Sequence, residues 1–347
     1  MRRSAPEFWW RSRPSGAANA LRPVAWVWGR AAAWRMAKPP TYRAPVAVVC
    51  VGNFVVGGAG KTPTAIALAR MARSRGLRPG LLASGYGGGV TKTPILVDPS
   101  VHTAVEVGDE ALLLAAVAPT VVSRDRAAGA RRLVEENVDI IIMDDGFQNP
   151  ALVLDLSLVA VDAAAGIGNG LTMPAGPVRV PLKAQIRRAN ALLVIGDGEA
   201  ADPLVRAAAR SGTAILHARL KPVRVKDWRK DPILAYAGIG HPEKFFASLK
   251  ETHAPVARTL SFPDHYSYGE VDAAKLLQIA DVEKLRLVTT EKDMVRLAGK
   301  TGALGKLRER SEPFHVIIEF ENPVAIGEMI DEAVRKAALA QPRERAT

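Results

Sequence analysis

The chain has 347 residues, of which 48% are hydrophobic, so it can bury the core of one large domain or two ordinary ones. Its single cysteine, Cys50, excludes an internal disulfide framework and is typical of a reducing compartment. The net charge is +12, and most of this excess lies before residue 44.

The N-terminal segment, residues 1–43, carries nine Lys/Arg against one acid and holds five of the six tryptophans. This mixture is typical of a helix on an anionic membrane surface, because indoles lie at headgroup depth while cations meet lipid phosphates. Residues 8–10 and 21–36 are the candidate anchors, and no apolar run is long enough to span a bilayer. The alternatives are a helix packed on the protein's own core and a nucleic-acid arm. No nucleic-acid-binding module follows, so we expect no nucleic-acid partner.

An apolar strand over residues 46–51 leads into a glycine-rich loop and then a helical pattern over 64–72. This order is typical of a nucleoside triphosphate site, because glycines let backbone N–H groups surround phosphates and the helix N-terminus adds positive potential. Lys61 is expected to reach the β- and γ-phosphates, and the Thr62 hydroxyl to bind Mg²⁺. The usual pattern has a glycine where this chain has Val55, so a turn without a ligand is the alternative. The predicted nucleotide contacts are Gly57, Gly58, Ala59, Gly60, Lys61, Thr62 and Pro63.

The next segments alternate strand and helix, as in α/β proteins. A short strand over 80–84 ends in a glycine-flanked Tyr86, which we expect either to touch the nucleotide or to lie in a hinge. A helix over 109–117 begins with acids, which suit the helix dipole. A strand over 119–123 and a helix over 124–137 follow.

A continuous apolar strand over 138–143 is followed by Asp144 and Asp145. Such a run is expected to be buried on both faces, and a carboxylate at its carboxyl end can hold Mg²⁺ directly or through water. We therefore predict both acids, with Thr62, as metal ligands. Strand-end aspartates that only cap a loop are the alternative.

The second half predicts strands over 152–161 and 191–195, then a charged linker over about 220–232. A second α/β unit begins at 233–240, with further strands over 285–289 and 315–320, and the tail after Ala337 is expected to fray. The predicted parts are the basic segment 1–43, a nucleotide-binding domain 44–222 and a smaller α/β domain 223–347.

Several motifs together resemble the lipid A tetraacyldisaccharide 4′-kinases. Residues 144–148 read D-D-G-F-Q, as in that family, and residues 51–53 followed by 57–63 resemble its P-loop, which also lacks the first glycine. Further matches lie in the family's order at 84–88, 107–110, 168–170, 174–177, 237–240, 262–265 and 289–293. One departure is visible: the family usually has Arg-Glu-Pro where this chain has Arg179-Val180-Pro181. A role for that acid is absent or replaced here.

The resemblance implies an ATP- and Mg²⁺-dependent kinase that phosphorylates the 4′-hydroxyl of a tetraacyldisaccharide 1-phosphate lipid. It also implies a P-loop NTPase-like α/β/α core, a second α/β domain and an active site in the cleft between them. The expected location is peripheral, on the cytoplasmic face of the bacterial inner membrane, in contact with its surface lipids. No obligate protein partner is evident.

By the same resemblance, Asp109 is the expected base and His265 its partner. A carboxylate can accept the proton of a sugar hydroxyl as the bond to phosphorus forms, and a histidine can orient that carboxylate. Without the resemblance, Asp109 could be only a helix N-cap and His265 a surface residue. Of the remaining residues, Lys61 is expected to take part in catalysis and Gln148 to lie close to Mg²⁺. The residues expected to bind the substrate are Asn53, Glu110, Arg126 and Arg179.

Two rival functions remain open from sequence. A GTP-dependent switch or metal-insertion protein would need a guanine-reading element, and residues 290–293 come close to one but have the wrong spacing. A membrane adaptor whose ATP site only regulates binding would not need Asp109 for its function. Competition between nucleotides tests the first rival, and substitution of Asp109 by Ala tests the second.

Overall fold

The computed structural model describes residues 5–89, 93–223 and 231–341. Their strands form two sheets, and the larger one has the order β13-β8-β7-β6-β1-β5-β2-β4-β3 once the strands are numbered along the chain. The strands are β1 (Ala47–Gly52), β2 (Pro79–Ala83), β3 (Ile95–Leu96), β4 (Thr120–Val122), β5 (Ile140–Asp144), β6 (Leu156–Asp162), β7 (Ala191–Ile195), β8 (Ala214–Pro222), β9 (Ile233–Ala237), β10 (Val256–Ser261), β11 (Arg286–Thr290), β12 (Ser311–Phe314) and β13 (Val316–Phe320).

The helices lie mostly between these strands, in the alternation that the sequence predicts. A 3₁₀ turn spans Glu7–Trp10. The α-helices are α1 (Gly16–Ala20), α2 (Arg22–Met36), α3 (Lys61–Ser74), α4 (Ala104–Val107), α5 (Asp109–Ala115), α6 (Arg126–Glu135), α7 (Leu182–Ile186), α8 (Asp202–Arg210), α9 (Pro242–Glu251), α10 (Glu270–Val282), α11 (Glu291–Arg296), α12 (Gly302–Arg310) and α13 (Pro323–Leu339). No helix in the described ranges has the length and apolarity needed to cross a bilayer.

The centre of the larger sheet positions the nucleotide loop beside the predicted acids. Strand β1 runs parallel to β5, with Val51 opposite Asp144. Both strands are buried on both faces, which explains their unbroken apolar sequences. Because the carboxyl ends of parallel strands meet at one edge of a sheet, the loop after β1 and the acids after β5 come together. The α/β fold class predicted from the sequence is confirmed.

The smaller sheet has the order β10-β9-β11-β12, and all its strands are parallel. Helices α10 and α12 contribute buried leucines to one of its faces, and α9 contributes Phe245 and Leu249 to the other. This sheet therefore has apolar clusters of its own, distinct from those of the larger sheet.

Strand β13 does not belong to the sheet that we predicted for it. Residues 315–320 were expected in the second α/β unit, but β13 pairs antiparallel with β8 in the larger sheet, with Phe320 opposite Ala218. The following helix, α13, packs back onto β1 and α3. The prediction was wrong because a strand-forming pattern specifies extended backbone but not the sheet edge with which it pairs.

The predicted linker and tail differ in part from the structure. Residues 220–222 are the end of β8 rather than linker, and residues 224–230 lie outside the described ranges. Helix α13 continues through Leu339, so the chain is still helical just after Ala337, and residues 342–347 also lie outside. Two basic residues of the N-terminal segment, Arg2 and Arg3, fall before the first described residue.

Helix α2 has two contrasting faces. Its buried residues are Ala25, Gly29, Ala32 and Met36, and a Cβ at Gly29 would approach Pro181 Cγ to 3.2 Å. Small side chains therefore let the helix lie close against the protein.

The other face of α2 presents Trp26, Trp28 and Trp34, which are 65%, 46% and 68% exposed. Arg30 lies over the ring of Trp26, and Lys38 over that of Trp34. One face of α2 thus packs on the protein's own core, while the other is an exposed aromatic and basic surface.

Candidate active site

The loop between β1 and α3 is closed by side chains that converge on one carbonyl. Lys61 Nζ and Asn53 Nδ2 donate to Gly57 O, at 3.1 and 2.9 Å. Gly57 and Gly60 have φ of +114° and +76°, a region that favours glycine. Gly60 is the N-cap of α3, so the loop leads directly into the N-terminus of that helix, where backbone N–H groups are available to phosphate.

Val55, which occupies the position of the missing glycine, forms an isolated antiparallel bridge with Val178. The next residue, Val56, donates its backbone N–H to Pro177 O at 2.9 Å. The loop is therefore attached to the segment that carries Arg179, and a side chain at position 55 is accommodated by this pairing.

Asp144 at the end of β5 meets the first turn of α3. The Thr62 hydroxyl donates to its Oδ2 at 2.9 Å. Among the described residues, neither its Oδ1 nor Oδ1 of Asn53, both buried, has a hydrogen-bond partner. Burial raises the pKa of the Asp144 carboxyl to about 7; the negative charge of Glu110 adds to this effect and Lys61 opposes it. Buried oxygens left without donors fit a cation site, and carboxylate and hydroxyl oxygens are the ligands that Mg²⁺ prefers.

Asp145 is held by cations on two sides. Arg179 pairs with it through two bonds, Nη1–Oδ1 at 2.6 Å and Nη2–Oδ2 at 3.0 Å, and Lys61 Nζ lies 3.7 Å from Oδ2. Burial alone would raise the pKa of Asp145, but the charges of Lys61 and Arg179 outweigh it and hold the pKa well below its usual range. Gln148 joins the cluster, accepting from Arg179 at 3.3 Å and donating to Asn53 O at 2.6 Å.

Arg126 lies behind the two acids. It is 4% exposed, and Nη2 donates to the backbone carbonyls of Asp144 and Asp145 at 3.3 and 3.2 Å. Asp145 has φ +53°, which is uncommon for a residue other than glycine. The guanidinium is therefore bonded to the backbone of this strained turn rather than free to meet a ligand at an open surface.

Asp109 and His265 lie far apart in sequence, and the structure brings them together. His265 Nδ1 is 3.3 Å from Asp109 Oδ2. The same oxygen accepts from Arg296 Nε at 2.9 Å and from Arg296 Nη2. Burial alone would raise the pKa of Asp109, but the bond to His265 and the charges of Lys292 and Arg296 outweigh it and lower the pKa well below its usual range. Asp109 is therefore ionised at neutral pH.

Glu110 and Tyr86 line a cleft with Asp144 and Asp145. Lys292 Nζ contacts Glu110 Oε1 at 2.6 Å, while the exposed Tyr86 ring packs edge-on against His265 at 5.6 Å. The carboxylate–histidine pair and the nucleotide loop thus belong to one region, although His265 follows a strand of the smaller sheet whereas Asp109 and the loop lie on the larger one.

Lys292 and Arg296 were not predicted as site residues. Lys292 falls within a motif that was matched as a whole, and Arg296 lies just beyond it. Their spacing of four residues on one helix is the signal that could have indicated a common face.

Comparisons with known proteins agree with these motifs. A family model described as tetraacyldisaccharide-1-P 4′-kinase matches residues 17–335. The tetraacyldisaccharide 4′-kinase of Rhizobium meliloti (strain 1021) is 49% identical over 341 residues, covering 98% of each chain. That of Methylobacterium sp. (strain 4-46) is 52% identical over 295 residues, covering 84% of this chain and 88% of its own.

Among solved structures, LpxK from Aquifex aeolicus in complex with ATP matches with a TM-score of 0.71 and 24% identity, covering 91% of this chain and 99% of its own. At this identity the match shows the shared fold. The family model and the close relatives go further: the chain belongs to the tetraacyldisaccharide-1-P 4′-kinase family.

Proposed function

We propose that this protein transfers the γ-phosphoryl group of ATP to the 4′-hydroxyl of a tetraacyldisaccharide 1-phosphate lipid, a step of lipid A biosynthesis. The observation that carries the proposal is the meeting of Lys61 and Thr62 with Asp144 and Asp145, in the same region as an ionised Asp109. Phosphoryl transfer needs this combination of phosphate cradle, metal ligands and proton acceptor. Family membership supports the choice of acceptor.

ATP is proposed to bind on the loop of residues 57–63, with Tyr86 beside the nucleotide. Thr62 and Asp144 are the proposed ligands of Mg²⁺, with Asp145 and Gln148 close by. Oδ1 of Asp144 supports this assignment, because it is buried and no described residue donates to it. When bound, Mg²⁺ would neutralise negative charge on the β- and γ-phosphate oxygens.

Asp109 is proposed to receive the proton of the attacking hydroxyl. The sugar oxygen forms a bond to the γ-phosphorus, the bond from that phosphorus to the β,γ-bridging oxygen breaks, ADP leaves, and the hydroxyl proton passes to Asp109. Lys61 offsets charge on the transferring group. His265 orients the carboxylate through the contact between Nδ1 and Oδ2.

Substrate contacts are proposed for Glu110, Asn53 and Arg179, each of which lies beside the cleft or the loop. For Arg126 we now favour support of the turn that carries the two acids, because its guanidinium is already bonded to their carbonyls.

We propose residues 1–43 as the membrane-surface part, 44–222 as the nucleotide-binding domain and 223–347 as the smaller domain. The last includes β13 and α13, which return to the larger sheet.

The acceptor lipid is expected to be reached through the exposed face of α2. Aromatic and basic side chains on that face fit the headgroup region of an anionic bilayer. We therefore propose a peripheral position on the cytoplasmic face of the inner membrane. Flotation with anionic vesicles tests it: replacement of Trp26, Trp28 and Trp34 by Ser should release the protein, whereas replacement of the exposed Val271 by Ser should not. Equal flotation of both variants would contradict the proposal.

The catalytic proposal is tested with labelled ATP and the disaccharide 1-phosphate lipid, followed by chromatography of the lipid product. The wild-type chain should yield labelled lipid. Asp109→Asn should lower turnover on the order of 10²–10⁴-fold, with ATP binding retained, and the exposed Asp331→Asn should behave as wild type. Absence of labelled lipid from the wild-type reaction would overturn the proposed function.

A further inference from the structure

Two cations on α11 face two consecutive acids on α5. Lys292 and Arg296 are four residues apart, so they lie on one face of the helix. Lys292 pairs with Glu110, and Arg296 pairs with Asp109. Helix α11 follows β11 of the smaller sheet, whereas α5 packs on β2 and β4 of the larger one. Both ion pairs therefore join the two sheets at the first turn of the helix that carries the proposed base.

The Arg296 guanidinium is fixed from behind by groups of the smaller sheet. Its Nη1 donates to Gly238 O at 2.5 Å and to Asp293 Oδ1 at 2.9 Å. Asp293 is itself fully buried and accepts from the Tyr268 hydroxyl at 2.9 Å and the Thr290 hydroxyl at 2.6 Å. With side-chain exposure of 9%, Arg296 has its planar fork oriented before it meets Asp109, so it can impose that orientation on the carboxylate.

His265 is attached to the same carbonyl. Its backbone N–H donates to Gly238 O at 3.1 Å, the oxygen that Arg296 also contacts. Gly238 N in turn donates to Asp293. Arg296 and His265 are thus both anchored to Gly238, and both contact Asp109 Oδ2. The Asp109 carboxylate is held in a single direction, because its other oxygen, Oδ1, accepts from the Glu110 backbone N–H at 2.9 Å.

We infer that Arg296 is a positioning residue for the reaction proposed above: it orients Asp109 toward His265 when the two sheets are in contact. The charged and titratable groups that face Asp109 are Glu110 on its own helix, His265 on the loop after β10, and Lys292 and Arg296 on α11. Arg296 is the one among them that donates through two nitrogens.

The test compares Arg296→Gln, Arg296→Lys and a control, Arg286→Gln, with wild type. Arg286 is also an ion-paired arginine of the smaller sheet, bonded to Glu312 at 2.8 Å, but it has no contact with Asp109. Arg296→Gln should lower kcat on the order of 10²-fold, the scale of a small misplacement of a reacting group, while KM for ATP changes little. Arg296→Lys should recover part of this loss, and the control should lose none.

The pH profile separates positioning from mere support of the fold. Loss of the guanidinium raises the pKa of Asp109, so the acid limb of kcat/KM should move to higher pH. Thermal melts supply the folded fraction to which rates are normalised. The inference is overturned if folded Arg296→Gln retains wild-type kcat, or if its acid limb does not move.

A readout independent of activity keeps this inference distinct from the proposed function. Carbon-13 NMR of the Asp109 carboxyl should show a higher titration midpoint in Arg296→Gln than in Arg286→Gln. If wild type makes no labelled lipid but the titration midpoints differ, the proposed function is wrong and the inference that Arg296 positions Asp109 is retained. An unchanged midpoint would refute the positioning contact whatever the reaction.

Discussion

The buried Asp144 should make the nucleotide-free protein less stable as pH rises. Burial raises the pKa of this carboxyl from 3.8 to about 7, so the unfolded chain ionises near pH 4 but the folded chain only near neutrality. The loss in the free energy of unfolding caused by ionising this buried group is therefore small at pH 4, grows between pH 4 and 7, and is complete above pH 7. At about 1.36 kcal/mol for each pH unit, it approaches roughly 4 kcal/mol under alkaline conditions.

Asp144→Asn removes this titration but keeps an oxygen that can accept from Thr62. Whatever fixed cost the amide adds, it is the same at all pH values. Relative to wild type, the free energy of unfolding of the variant should therefore rise by roughly 3 kcal/mol between pH 5 and pH 8. For a chain of this size, this corresponds to roughly 4 °C in melting temperature.

The assay is calorimetry of both proteins without nucleotide and with a chelator, at pH 5 and pH 8. Asp331→Asn is the control, because the bond from Arg75 lowers the pKa of that exposed carboxyl, so it is ionised at both pH values. If the difference between wild type and Asp144→Asn does not change between pH 5 and 8, or changes in favour of wild type, the argument from burial is wrong. A variant that is more stable yet unable to turn over would fit a site that sacrifices stability for metal binding.

Three further outcomes are expected. Gly60→Ala should weaken ATP binding in equilibrium dialysis, because φ is +76° and the new Cβ would lie 2.9 Å from Ile195 Cδ1, whereas Gly16→Ala, which lies outside the loop and has nothing within 4 Å of the new Cβ, should bind as wild type. Cys50 should not react with a thiol reagent in the native protein but should do so in urea, since it is fully buried and burial raises its thiol pKa to about 12. Val180→Glu should cost about 2 kcal/mol or more in the free energy of unfolding and expose α2 to protease, because Val180 is 2% exposed; an unchanged melt would contradict this.

The parts of the site that were predictable from the sequence are those built from short, continuous segments. The apolar run before the glycine-rich loop becomes β1, and the run before Asp144 becomes β5. Parallel pairing of these neighbours brings Thr62 to Asp144, as expected for acids at the end of a core strand. The strand predicted over 191–195 has the bounds of β7. Each of these features is determined by local pattern and by the common edge of a parallel sheet.

The parts that sequence reasoning missed depend on how distant elements pack. Arg296 is 187 residues from Asp109 along the chain, and no pattern near either residue states that they meet. The burial of Arg126 beneath the acid pair is equally invisible, because an arginine at the start of an amphipathic helix reads as solvent-exposed. The fold also accounts for an apolar residue where the family usually has Glu, because Val180 packs with Ala32 and Met36 of α2.

The pKa shifts of the three aspartates indicate a different role for each in the proposed reaction. The pKa of Asp144 is raised by burial, which leaves it in need of a cation, whereas cations keep the pKa values of Asp145 and Asp109 low. A strongly stabilised carboxylate is a weak base, so Asp109 would hardly deprotonate a free sugar hydroxyl. In a loose phosphoryl-transfer transition state the hydroxyl becomes acidic only as its bond to phosphorus forms. An oriented, permanently ionised Asp109 suits such late proton transfer, and this is why its direction, set by His265 and Arg296, should matter more than its basicity.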